Sequence, residues 1–192
     1  MNKKQFMFLI FITFLSTAVF SQENKNLSNK KTSKKQIVPQ INEEFKYTLV
    51  FFNKDTYSLH SVNKKTKVIS GLKKEEKVKL VIEDLFSIPE EELEKTGLRR
   101  AIKPQIKIEN VLCSTQTYKI SDKEEVKHIA AEIELSRDII PYLSDDTLDD
   151  LVTQIRFTLE LSGFDFTQVD LKVKDKKGQK HNLIYFVDHK EE

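Results

Sequence analysis

The sequence predicts an α+β protein, a two-layer sandwich in which a mixed β-sheet carries two helices on one face. Two segments repeat apolar residues at i, i+3, i+4 and i+7, so each has one apolar stripe, the mark of a helix packed on one side. Several others alternate, or run β-branched and aromatic, as strands do. Their order is β-β-α-β-β-α-β, and one-sided helices among one-sided strands bury their apolar faces by layering.

The first strand is "YTLVFF", from Tyr47, and "DTYSLHSV" begins a second, shorter one. "KKEEKVKLVIEDLFS" is the first helix, with Val78, Val81, Ile82, Leu85 and Phe86 on one stripe. Pro89 stops it, because a residue before proline is pushed out of the α region. "EEELEKTGLRRAIKP" reads as a connecting loop with one helical turn. "QIKIENVLCSTQTYKI" and "VKHIAAEIELSRDI" are two strands joined around residues 121–125. In the second, Ile129, Ala131, Ile133 and Leu135 share one face while His128, Glu132 and Glu134 share the other, the pattern of a sheet with one wet side. The second helix opens at Ser144 as N-cap, carries Leu148, Leu151, Val152, Ile155 and Leu159, and ends at Gly163. "VDLKV" alternates, "KDKKGQK" turns the chain, and "NLIYFV" reads as a closing strand. The expected core joins Val78, Ile82, Phe86, Leu151, Ile155 and Leu159.

Outside this domain, placed at residues 47–188, the texture is different. Lys3 and Lys4, an apolar run at 6–15 and a polar stretch from Gln22 have the layout of a secretory signal peptide at residues 1–21. The apolar run is shorter than the ~18 residues of a membrane span, and an uncleaved N-terminal anchor is the alternative. Residues 22–46 form a lysine-rich spacer with Lys25, Lys30, Lys31, Lys34 and Lys35, too poor in apolar residues near its start to fold by itself. Without Lys3 and Lys4 the basic and acidic side chains are equal at 30 each, which argues against a general nucleic-acid or anionic-membrane binder. A single cysteine, Cys113, excludes an intrachain disulfide.

No catalytic, cofactor or metal site emerges from the residues. His60, His128, His181 and His189 are scattered, without the i, i+4 pair of a helical zinc site. Cys113 sits in an alternating strand and reads as a small apolar residue. Four glycines leave no phosphate-cradling loop. The acidic run at residues 145–150 (Asp145, Asp146, Asp149, Asp150) could share a divalent cation, but a helix N-terminus prefers the same residues because its first turn is partially positive. The glutamates Glu90, Glu91 and Glu92 read as a solvated loop.

"AAEIELSRDI" followed by "LVTQIRFTLELSGFDFTQVDLKVKDKKG" resembles the GerMN domain, the spore germination and sporulation domain. The correspondence runs through "IELS" at Ile133 to Ser136, a "Q-I-x-x-T-L" helix core at Gln154, Ile155, Thr158 and Leu159, and a "V-x-L-x-V" strand at Val169, Leu171 and Val173 that leads to the Lys177–Gly178 turn. Upstream, Gly97, Ala101 and Ile102 fit the family's connector, and Pro104 falls one position late. The helix exit "LFSIPEE" lacks the family's glycine, Glu134 replaces the strand aspartate, and "SDKEE" lengthens the central hairpin. The resemblance implies an extracytoplasmic, non-enzymatic module of a bacterial envelope protein, with a fold similar to ring-building modules. The expectation is therefore an exported interaction module with an envelope partner or a peptidoglycan-associated complex, monomeric in isolation because Lys172, Lys174, Lys176 and Lys177 blunt the final edge. An exported hydrolase or metal-dependent enzyme using Asp145 to Asp150 is the alternative from another class.

Overall fold

The computed structural model of the protein describes residues 42–103, 105–121 and 124–188. The expected signal peptide, most of the spacer, and His189 lie outside the described residues.

β1 (Asn42–Asn53) and β2 (Leu59–Ile69) form an antiparallel hairpin, paired from Asn42↔Ile69 to Phe52↔Leu59. β1 thus starts five residues before the expected Tyr47 and takes in the end of the expected spacer. The reason lies in its partner: "KKTKVI" pairs as strand although it is lysine-rich, because the lysines can point to water, and β2 is consequently longer than expected. Phe45 then stacks on Tyr47 with ring centroids 5.4 Å apart, an apolar anchor for the added residues.

α1 (Lys74–Ser87) buries Val78, Val81, Ile82, Leu85 and Phe86. It ends where Ile88, before Pro89, turns to an extended ψ of 125°. The connector expected to be mainly loop is ordered instead: α2 (Glu90–Lys95) buries Leu93, and β3 (Leu98–Arg99) pairs with the end of β1. The first sheet has the order β2-β1-β3.

β4 (Ile108–Ser121) and β5 (Glu124–Leu135) form the second hairpin. A 3-10 turn (Arg137–Tyr142) and α3 (Asp145–Leu161) lead to β6 (Gln168–Lys174), which runs parallel to β5. β7 (Lys180–Asn182) adds an antiparallel rung, and the second sheet has the order β4-β5-β6-β7. The α+β class holds, but the strands are divided between two sheets, and mixed pairing is confined to the second. "NLIYFV" corrects the expectation of a closing strand: after Asn182 it forms α4 (Leu183–Asp188). Leu183 and Phe186, at i and i+3, are both buried while Ile184 is exposed, so helical spacing rather than alternation meets the core.

α3 packs on β1 and α1 on β4, and the two helices meet, so both sheets contribute to one apolar core. All six expected core residues are buried in it. Ser144 caps α3 reciprocally: its N–H donates to Thr147 Oγ1 at 2.7 Å and its Oγ accepts from the Thr147 N–H. At the other end Gly163 has φ +84°, a left-handed conformation that side chains disfavour, and the Phe164 N–H returns to the Leu159 carbonyl at 3.0 Å.

Candidate interaction surfaces

The side chains that could do chemistry are largely engaged in holding the fold. In the acidic run, Asp145, Asp146 and Asp149 face solvent in or near the first turn of α3. Asp150 accepts from Arg99 at 3.0 Å, and the Arg99 guanidinium lies over the rings of Phe52 and Tyr57 at 4.9 and 4.8 Å. Glu90 corrects the solvated-loop expectation: it pairs at 3.3 Å with Arg100, which is buried and also donates to the carbonyls of Phe86 and Lys103 at 2.6 and 2.8 Å. Glu91 and Glu92 are exposed. Cys113 is half-buried, and burial pushes its thiol up, away from the reactive thiolate. His60 is exposed, His128 contacts Thr167 at 3.1 Å, and His181 contacts Asp175 at 3.0 Å. These three histidines are not brought together.

Three polar residues have a role that the apolar pattern concealed. Gln154, Thr158 and Ser162 stand at i, i+4 and i+8 on α3 and run along the edge of β1 that β2 leaves open. The Gln154 amide donates to the Val50 carbonyl at 2.8 Å and accepts from the Ala101 N–H at 2.9 Å. Thr158 Oγ1 accepts from the Val50 N–H at 3.1 Å. Ser162 Oγ accepts from the Thr48 N–H and donates to the Thr48 carbonyl, both at 3.0 Å. The helix supplies the rungs of a missing strand, and Gln154 and Thr158 are fully buried while doing so. The signal was present as a polar row flanking the apolar stripe at helical spacing, but spacing alone does not say what such a row faces.

The outward face of the second sheet carries a ladder of ion pairs. Glu134, expected on the wet side, is 3% exposed because Lys174 and Lys180 close over it at 2.5 and 2.9 Å. Lys180 also reaches Glu132 at 3.2 Å. Burial by itself raises the Glu134 carboxyl, but hydrogen bonds from Lys174 and Lys180 outweigh it and hold the group below its ordinary range. Lys172 and Lys174 therefore do not guard an edge: β7 covers β6, and the lysines lie across the sheet. Among the described residues the long bare edge belongs to β4, which pairs with β5 alone. From Ser114 onward β4 is exposed on both faces, and its Tyr118 and Ile120, with Val126 opposite Tyr118 on β5, are apolar and exposed. On the first sheet, Lys46, Thr48, Asn63, Lys64, Lys65 and Leu161 line an open groove of about 500 Å³.

Among the described residues no helix is long and apolar enough to cross a membrane, which says nothing of crossing by strands. No family model and no curated protein matches the chain. Its structure is similar to the tandem GerMN domains of the sporulation protein GerM from Bacillus subtilis, with a TM-score of 0.39 and 15% identity. The match covers 82% of this chain and 46% of that one, so the chain spans under half the length of its structural neighbour.

Proposed function

We propose that this GerMN-like chain is an exported, non-enzymatic interaction module that helps to organise a bacterial envelope complex through its surfaces rather than through a reactive pocket. The observation that carries the reading is the division of labour among its polar groups. Arg99, Arg100, Asp150, Gln154 and Thr158 are held by structural partners, while the β4 edge and the outer face of the first sheet remain open. Open strand edges and mixed polar and apolar faces are what partner proteins use.

The isolated protein is proposed to be a monomer, with exposed Glu109 and Lys119 on β4 tempering self-association. Light scattering on the purified protein tests this, and a stable ring or filament overturns it. Crosslinking in the native envelope followed by mass spectrometry tests the module itself. Recovery of no envelope partner, or a cytoplasmic location in cell fractionation, removes the reading. An enzyme acting through Asp146 and Asp150 would lose a measurable hydrolytic or metal-binding activity in the corresponding alanine variants.

A further inference from the structure

The outer face of the first sheet combines charge and apolar surface that the fold itself does not use. Strand pairing sets Lys46 opposite Lys65 and Thr48 opposite Asn63, so these side chains share one face. Gln154, Thr158 and Ser162 point from α3 at the β1 edge. Helical geometry then places Phe157 and Leu161, one turn apart, along the outer side of that edge. Both are exposed, at 38% and 53%, and Leu161 forms a wall of the groove that Lys46 and Lys65 line. Its size falls within the roughly 300–1,000 Å³ usual for ligand sites.

The charge of the groove is not neutralised from within. Lys46 and Lys65 share the one carboxylate of Glu44, at 3.5 and 3.7 Å, and these contacts are solvent-exposed. One carboxylate against two ammonium groups leaves the groove cationic beside an apolar wall.

We propose that this groove docks an acidic peptide segment of a partner protein, with carboxylates on Lys46 and Lys65 and an apolar side chain on Leu161 and Phe157. The proposal deepens the interaction-module reading and rests on it. An extended peptide presents alternate side chains to one side, so it can offer carboxylates and apolar anchors together. A purely anionic polymer would engage the lysines and leave Leu161 and Phe157 in water. A bilayer surface would meet the rim of a concave groove rather than its floor.

The test is fluorescence anisotropy of the full chain with a labelled octapeptide alternating glutamate and leucine. The comparison ligands are a glutamine–leucine octapeptide, polyglutamate and phosphatidylglycerol vesicles. Binding of the glutamate–leucine peptide is expected. Lys46→Glu with Lys65→Glu should weaken it about tenfold or more, and about 0.5 M salt should do likewise, because such contacts are screened. Leu161→Ser should weaken it as well. All three positions are exposed, and an unchanged thermal midpoint confirms that the variants fold. No binding, equal binding of the glutamine peptide, unaltered affinity of the charge-reversed variant, or binding of polyglutamate or vesicles in place of the peptide overturns the proposal. Envelope crosslinking separates it from the broader reading. A charge-reversed variant that still captures the wild-type partner removes the groove alone, whereas a wild-type chain that captures nothing removes the module.

Discussion

β1 and β4 are both long strands of antiparallel hairpins, each paired along one side, yet their other edges differ. The free edge of β1 is closed by α3 through Gln154, Thr158 and Ser162, and then by β3 at Phe52 and Asn53. The free edge of β4 has no neighbouring strand among the described residues, and its distal half stands clear of the core. The contrast teaches that edge protection in this fold comes from side chains on a helix. A glutamine amide has the donor and acceptor of a peptide unit, and a hydroxyl can both give and accept, so a polar row on α3 can complete a sheet without a further strand. Where the helix does not reach, backbone groups remain available to another chain.

The strongest way to break this comparison is to loosen the helix that makes it. Leu151→Ala and Leu159→Ala remove side chains that are 0% and 1% exposed, and each should cost about 2–5 kcal/mol in urea unfolding. Near-wild-type stability for both would mean that α3 does not face β1 as described.

The rungs themselves come next. Gln154→Leu leaves the Val50 carbonyl and the Ala101 N–H buried without partners, for about 2–4 kcal/mol, and Thr158→Val strands one donor, for about 1–3 kcal/mol. Thr117→Val, on exposed β4, should stay within about 0.5 kcal/mol. Hydrogen exchange sharpens the point. The Thr48 and Val50 amides should be slow in the wild type and the Val50 amide fast in Thr158→Val, while β4 amides that point away from β5 should be fast throughout. Equal protection of the two edges would remove the distinction.

A smaller effect is expected on the ion ladder of the second sheet. Glu134 is held below its ordinary range in the folded state, so its stabilisation is present above the unfolded value near pH ~4.3 and is lost as pH falls through the folded value. Glu134→Gln should cost about 1–2 kcal/mol at neutral pH, a figure reduced because Lys174 and Lys180 are partly in water. The difference from wild type should shrink as the pH falls below the unfolded value and vanish below the folded one, and a pH-independent difference would contradict the assignment. The smallest effect belongs to Asp146→Ala, about 0.5 kcal/mol from the helix N-terminus. A cost of several kcal/mol would show that Asp146 has a partner beyond the helix dipole.

Much of the fold was legible because local periodicity and burial agree. The stripes of α1 and α3, the cap at Ser144, the stop at Gly163 and the inward Ala131, Ile133 and Leu135 all follow from residues close in sequence. The errors fall where local pattern permits two outcomes. "NLIYFV" is apolar enough for a strand or a short helix, and only the places that Leu183 and Phe186 find in the core select the helix. "KKTKVI" looks like loop by composition, and only pairing with β1 extends it into strand. The surfaces were less legible still, because Lys46, Lys65 and Leu161 are far apart in sequence and meet only across a hairpin and a helix.

By itself the sequence determined the two long helices and their apolar faces, the order of the main strands around them and the absence of an intrachain disulfide, because each depends on residue type and short-range spacing. Tertiary structure alone decided that the strands divide into two sheets, that β4 rather than the last strand is the long bare edge, and that Glu134 is covered. It also decided that Gln154, Thr158 and Ser162 serve as strand rungs. The physical reason is the same in each case: a backbone N–H, a carbonyl or a charge must find a partner when it leaves water, and which partner it finds depends on what the rest of the chain brings alongside.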